Sequence, residues 1–257
     1  MSGRTMVSLL MAVLLLGLAM PVVADEAVDK AFDALKTYDW GADRNILKPI
    51  DDAIVKSHGD AAAQKALAKR LAAVLGTDAK QCGKDYCCRK LSLIGTADNV
   101  PAVAPLLTDE KLSHMARYVL ERMSCPESAK AMQDALPKVK GLLKVGVINS
   151  LGVRRDAAST GALEKLLGDS DKQTAGAAAA ALGSIGTPEA AKALGAFQGK
   201  APKELKLVAA DAYLACAEQL LADGKKADAK AIYMALSKSD IKQVKVAAMR
   251  GMLAASK

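Results

Sequence analysis

The feature that most constrains the fold of this chain is a helical spacing of apolar residues that recurs in three separate segments. In the segment 110–123 the apolar positions advance in steps of three and one, which places them on one face of an α-helix. These positions are Leu112, Met115, Ala116, Val119, Leu120 and Met123. The same steps recur in 174–185 and 205–220. Because no segment alternates with a period of two for long, the sequence predicts an all-α fold.

An internal repeat fixes how these helices are arranged. The pattern Leu-x-x-Ile-Gly-Thr occurs at 91–96 and at 182–187, and a related glycine turn lies between them. Each glycine follows an apolar helix end, so Gly95, Gly152 and Gly186 are predicted to end helices in a left-handed conformation. Units of about 30–38 residues, each a pair of helices, predict an α-solenoid (α–α superhelix) of stacked helical hairpins.

The composition agrees with a stack of closely packed helices. Hydrophobic residues make up 51% of the chain, whereas aromatic residues make up only 3%. Alanine must therefore fill much of the interior, as in the run 177–181. Small side chains suit close helix–helix packing, and a β-sandwich would need more branched and aromatic residues.

The first 24 residues have the pattern of a secretory signal peptide. Arg4 provides a positive start, the apolar run 6–19 follows, and Pro21 and Ala24 precede the expected cleavage site. We expect an exported protein, periplasmic or secreted, with no stable membrane span after cleavage. The alternative is an uncleaved anchor, because the apolar run with its flank is nearly long enough to span a bilayer.

The remainder divides into two predicted parts. We expect residues 25–80 to form an N-terminal helical cap and residues 81–257 to form the repeat array. Phe32, Tyr38 and Trp40 are expected to seal the cap, because the terminal units of a solenoid must cover an exposed apolar end.

Several stretches resemble a known family. From about residue 82 onward the alternation of helices and glycine turns resembles HEAT repeats. The stretches 97–118, which contains Leu-Leu-Thr-Asp-Glu-Lys-Leu, and 146–157 resemble exported bacterial HEAT-repeat domain-containing proteins, as does 32–52. The stretch 210–236 looks more like a tetratricopeptide pair. The resemblance implies a non-enzymatic interaction protein.

Residue types that carry catalysis are sparse. His58 and His114 are the two histidines, and no His-Glu-x-x-His, Gly-rich phosphate loop or Cys-x-x-Cys-His haem motif occurs. We therefore expect no catalytic residue, no metal, no cofactor and no enzymatic activity. Two alternatives stay open: an enzyme on a HEAT-like fold (DNA glycosylase-like or chromophore lyase-like), or an accessory subunit of an exported redox or polysaccharide-degrading complex.

Three of the five cysteines lie close together in the sequence. In an oxidising compartment, Cys82 is expected to form a disulfide with Cys87 or Cys88, provided that the segment is a loop around Gly83. Cys216 lies on an apolar helical stripe and is expected to be buried.

A polar face in the array is the predicted binding surface. His114, Arg117 and Tyr118 lie opposite the apolar stripe of their helix, and Arg154 and Arg155 lie about one repeat further on. Arginine and tyrosine often carry binding hot spots, so we expect these five residues to contact a protein. The alternative is a solvated face, or a polar ridge that supports the next repeat.

The net charge of +8 raises the question of nucleic acid. However, the lysines are spread along the chain, and an exported protein rarely meets nucleic acid. We therefore expect a protein partner. The sequence predicts a non-catalytic protein-binding scaffold of the cell envelope or exterior that presents a curved helical-repeat surface.

Overall fold

The computed structural model describes residues 26–256, and the predicted signal peptide lies outside this range. The described residues form fourteen α-helices joined by short turns and contain no strand, which confirms the all-α prediction. The helices are α1 (Glu26–Leu35), α2 (Lys48–Lys56), α3 (Ala61–Leu75), α4 (Gln81–Ile94), α5 (Val100–Val103), α6 (Ser113–Arg122), α7 (Pro126–Ala135), α8 (Gly141–Val153), α9 (Thr160–Leu166), α10 (Lys172–Ile185), α11 (Pro188–Lys200), α12 (Lys206–Ala222), α13 (Lys226–Leu236) and α14 (Lys242–Ala255).

The helices form two layers. Helices α4, α6, α8, α10, α12 and α14 pack against one another in chain order, and we call them the A layer. The helices that follow them, namely α5, α7, α9, α11 and α13, form the B layer. Helices of the two layers pack together in hairpins, as α6 does with α7, α10 with α11 and α12 with α13, so the array is the predicted α-solenoid.

The predicted apolar stripes form the core. All six apolar positions of the segment 110–123 are buried, as are Ala178 and Leu182 of α10 and Ala209 and Cys216 of α12. The start of α11 also follows the sequence, because the hydroxyl of Thr187 accepts a hydrogen bond from the backbone N–H of Ala190. A helical period therefore identified the buried faces correctly.

Two of the three predicted glycine helix ends, Gly95 and Gly186, do end helices, and one of them has the predicted left-handed conformation. Gly186 ends α10 in the left-handed conformation, with a φ of 66°. Gly95 is extended, and Gly152 lies within α8, where it is fully helical. Arg155, with a φ of 51°, takes the left-handed conformation after α8 instead.

The close spacing of the A helices explains the presence of Gly152 inside α8. A Cβ on Gly152 would lie 2.8 Å from the Cα of Ala181 in α10. A Cβ on Gly183 would lie 2.6 Å from the backbone oxygen of Ala212 in α12. These helices touch backbone to backbone, which only residues without a side chain permit.

Before the array, α1, α2 and α3 form the start of the described chain, and α3 packs against α4 and α5. Phe32 is buried and Tyr38 is half-buried, but the side chain of Trp40 is 82% exposed. The expectation that Trp40 seals this end is therefore wrong. It lies in the turn between α1 and α2, which does not cover the core. The domain boundary at residue 80 stays a prediction.

Candidate functional site

Among the residues predicted to bind a partner, Arg117 lies in α6. Its guanidinium lies between α6 and α8 and donates hydrogen bonds to the Gly146 backbone oxygen and to the Ser150 hydroxyl, both at 3.4 Å. The Ser150 hydroxyl donates in turn to Glu121 at 2.6 Å. Burial lowers the pKa of Arg117, and nearby Glu121 opposes that effect. Arg117 is therefore part of a polar cluster between two repeats.

Arg154 links the same two helices at their ends. Its guanidinium donates hydrogen bonds to the backbone oxygens of Leu120 at 2.8 Å, Glu121 at 3.2 Å and Cys125 at 3.2 Å, and also to that of Met123. The last carbonyls of a helix have no partner within the helix and carry partial negative charge. Arg154 therefore caps the C-terminal end of α6 from the neighbouring repeat.

Arg155 reaches in the opposite direction along the array. It donates hydrogen bonds to the backbone oxygen of Ile185, at the end of α10, at 3.4 and 3.5 Å. Its guanidinium also pairs with the carboxylate of Asp223, after α12, at 2.6 Å. The pair Arg154–Arg155 thus connects the ends of α6, α8, α10 and α12, and we call it the arginine link.

The structure therefore does not arrange the five predicted residues as one free surface. Arg117 and Arg154 are half-buried, and Arg155 is exposed but its guanidinium pairs with Asp223. His114 is exposed, and the half-buried ring of Tyr118 stacks with Arg122 at 3.6 Å. Binding of a protein by these five residues stays a prediction.

The cysteine prediction is also corrected. Residues 81–94 form one continuous helix, α4, and all five cysteines are free thiols. Residues five or six positions apart on a helix are separated by about 7.5–9 Å along its axis. A disulfide needs Cα atoms within roughly 4.4–6.8 Å. Burial raises the pKa of Cys87 far above its usual range and that of Cys88 to about 12, so both are unreactive thiols inside the core.

An open concave surface lies in the B layer. A groove of about 710 Å³ runs between the short α5 with its following 3₁₀ turn and α7. Its lining is largely apolar, with charged residues at the rim; the residues are Val100, Pro101, Ala104, Pro105, Thr108, Pro126, Glu127, Lys130, Ala131, Asp134, Ala135 and Lys138. We call it the α5–α7 groove. Two acidic and two basic side chains balance its charge.

A second groove, of about 410 Å³, repeats this arrangement between α9 and α11. It is lined by apolar residues that include Leu167, Ala193 and Phe197, and by charged residues that include Glu164 and Lys200. The same layer thus forms open, mixed-charge clefts at two points along the array, whereas α8, α10 and α12 of the A layer are in direct backbone contact. A further cleft, of about 560 Å³, lies beside α12, α13 and α14.

Sequence reasoning missed the grooves. The signal that could have revealed the first one is Pro101 followed by Pro105, because proline removes backbone donors and shortens the helix in which it lies. Here the B segment of the repeat is reduced to α5 between two 3₁₀ turns, and it leaves space beside α7.

No group of three or more His, Cys, Asp or Glu side chains in residues 26–256 is placed to hold a metal ion. None of the helices described is both long and apolar enough to cross a membrane.

Part of the chain is similar to a known family of helical repeats. Residues 129–214, from α7 into α12, match the family model of HEAT repeats. No curated protein shows a significant match to the chain. The match and the ordered packing of helices together support a HEAT-repeat helical protein.

Proposed function

We propose that this helical-repeat chain is a non-catalytic scaffold of the cell envelope or exterior, and that it binds a protein partner in its B-layer grooves. HEAT repeats are generally scaffolds, often for protein interaction, and this supports the class of function. The signal-peptide pattern of residues 1–24 supports the location.

The observation that carries the proposal is the α5–α7 groove. It is open to solvent, has an apolar floor that includes Val100 and Ala135, and has the pair Lys130–Asp134 at its rim. An apolar centre with a polar rim is the usual composition of a protein-binding site. In the A layer, α8, α10 and α12 touch directly and the arginines at their ends are occupied, so the surface between these three helices is closed.

The balanced charge of the rim indicates the kind of segment that would bind. Glu127 and Asp134 lie with Lys130 and Lys138 around the groove, so neither sign dominates. A partner segment with an apolar side chain for the floor, and with charges of both signs for the rim, would satisfy all of these groups.

Photo-crosslinking in the native host tests this proposal. A crosslinking amino acid replaces Lys130 at the groove rim, and a matched variant replaces Ser184, an exposed residue of α10 in the A layer. We expect a defined protein adduct from position 130 and none from position 184. Equal adducts from both positions, or none from either, would argue against the groove as the binding site.

A second measurement uses the partner captured in this way. The double variant Lys130→Glu, Lys138→Glu reverses the basic half of the rim and should weaken binding about tenfold or more. The variant Lys165→Glu, Lys192→Glu changes the net charge equally at residues that do not line either groove. If both double variants bind equally well, the rim does not contact the partner.

A further inference from the structure

Helix α14 has two apolar stripes on opposite sides. The residues that it buries against the array are Val244, Ala248 and Ala255. A second set, Val246, Met249 and Leu253, is exposed to 41%, 46% and 70%. At 100° per residue the exposed set is centred roughly opposite the buried set, so it faces away from the core.

The exposed stripe is surrounded by positive charge. Lys242 lies in line with it, while Lys245 and Arg250 lie on either side of it. Residues 224–256 contain seven cations and two acids, a net charge of 7 − 2 = +5. The cations are Lys225, Lys226, Lys230, Lys238, Lys242, Lys245 and Arg250. In the described part of the chain, none of them is within ion-pair distance of a carboxylate, whereas elsewhere eleven such pairs occur.

Another helix of the repeat type is a poor occupant for this face. In the centre of the array, α8 and α10 receive the next A helix at Gly152 and Gly183, which allow backbone contact. The outer face of α14 has valine, methionine and leucine with long cations between them, which would hold a second backbone away. A second copy of the chain is also disfavoured, because two such faces would repel each other.

We propose that α14 docks the protein on an anionic phospholipid surface, with Val246, Met249 and Leu253 entering the interface. Lys242, Lys245 and Arg250 then lie at the level of the headgroups. An apolar stripe flanked by unpaired lysine and arginine is the pattern of a helix that lies in the plane of a membrane interface. Cations that are spread over α13 and α14 match a diffuse negative surface better than a single carboxylate.

This proposal goes beyond the scaffold function and does not depend on it. The B-layer grooves involve α5, α7, α9 and α11, none of which supplies a residue to the outer face of α14. The groove and the docking face are therefore separable by mutation, and failure of one proposal leaves the other standing.

Vesicle co-sedimentation tests the docking face. The protein, purified in the form that its producing cell processes, is mixed with vesicles of phosphatidylglycerol and phosphatidylcholine, or of phosphatidylcholine alone. We expect binding only to the mixed vesicles, and weaker binding as the salt concentration rises. Absence of binding to mixed vesicles at low salt would overturn the proposal.

Substitutions then locate the face. Removing a cation near an anionic membrane weakens partitioning roughly fivefold, so Lys245→Glu with Arg250→Glu should weaken it by about 25-fold or more. Leu253→Glu should also release the protein. The matched control for this leucine is Leu142→Glu, because Leu142 is 77% exposed at the start of α8. The charge control is the double variant at Lys165 and Lys192 described above.

Circular dichroism establishes that each variant is folded before its binding is compared. Loss of vesicle binding in the α14 variants alone would support the proposal. Equal loss in the control variants would overturn it, since the binding would then follow net charge. So would an α14 variant that keeps its vesicle binding but loses an acidic protein partner or a self-associated state.

Discussion

The A layer and the B layer of this array differ in how closely their helices pack. In the A layer, α8, α10 and α12 approach until their backbones touch, and arginines cap the ends of neighbouring helices. In the B layer, successive helices stand apart at two places and leave grooves between them. The difference teaches that one layer can hold the array together while the other remains available to a partner.

The polar residues of the two layers show the same division. Arg117, Arg154 and Arg155 of the A layer donate to partners 29–68 residues away in the sequence. In the α5–α7 groove, Lys130 pairs with Asp134 only four residues away on its own helix. A polar group that bonds to another repeat stabilises the array, whereas one that bonds locally contributes little and is free to exchange partners.

The largest effect on stability is expected from adding a side chain where α10 contacts α12. Gly183→Ala places a Cβ 2.6 Å from the Ala212 backbone oxygen, so the two helices must separate, at a cost of about 2–3 kcal/mol in the free energy of unfolding. Gly176→Ala is the matched variant on the same helix, because its Cβ would meet only side-chain carbons at 3.7 Å. It should be neutral or stabilise by up to about 1 kcal/mol.

Denaturant titration followed by circular dichroism measures both changes. The expected result is a shift of the two midpoints in opposite directions. If Gly183→Ala were as stable as the wild type, the A layer would not be limited by backbone contact, and the contrast between the layers would fail.

A smaller effect on stability is expected from replacing Arg154, one of the two residues of the arginine link. Arg154→Met keeps most of the side-chain volume but leaves the half-buried carbonyls at the end of α6 without their charged donor, at a cost of about 1.5–3 kcal/mol. Arg122→Met, at an exposed arginine of α6, loses a stacking contact with the Tyr118 ring and an exposed hydrogen bond to the Tyr118 backbone oxygen, and should cost at most about 1 kcal/mol. Thermal unfolding compares the two variants. An equal loss of stability in both would show that Arg154 does not stabilise the contact between repeats.

The smallest effect is expected in the B layer. Lys130→Ala removes an exposed pair with Asp134 and should change the free energy of unfolding by no more than about 0.5 kcal/mol. The same titration measures it. A loss comparable with that of Arg154→Met would mean that the rim of the α5–α7 groove supports the fold, and the two layers would not differ as described.

The sequence predicted the helices well because their apolar period depends on local spacing. The stripe from Leu112 to Met123 is buried throughout, and Cys216 is buried as expected. It failed where one helix meets the next. The residues around Gly152 in the sequence predict a helix end there. Only the position of Ala181 shows that Gly152 is where α8 contacts α10.

The candidate site was harder to predict for the same reason. The helical spacing correctly placed His114, Arg117 and Tyr118 on a polar face of α6. It could not show where α8 lies, and Arg117 donates its hydrogen bonds to α8. The interval from the end of α6 to Arg154 is about one repeat, and that spacing was the available sign of a structural contact. The grooves depend on how far apart two B helices lie, which no single segment determines.

The pair between Arg155 and Asp223 has a mechanical consequence. It begins after α8 and ends after α12, passing across the end of α10, so it joins helices that are not neighbours in the A layer. Such a contact restrains bending of the array, because it opposes any increase in the angle between successive hairpins. Both side chains are about 40% exposed, so this ion pair contributes about 1 kcal/mol or less to stability and weakens as salt screens it. The curvature of this part of the solenoid should therefore be an elastic property, stiffer in dilute buffer and softer in concentrated salt.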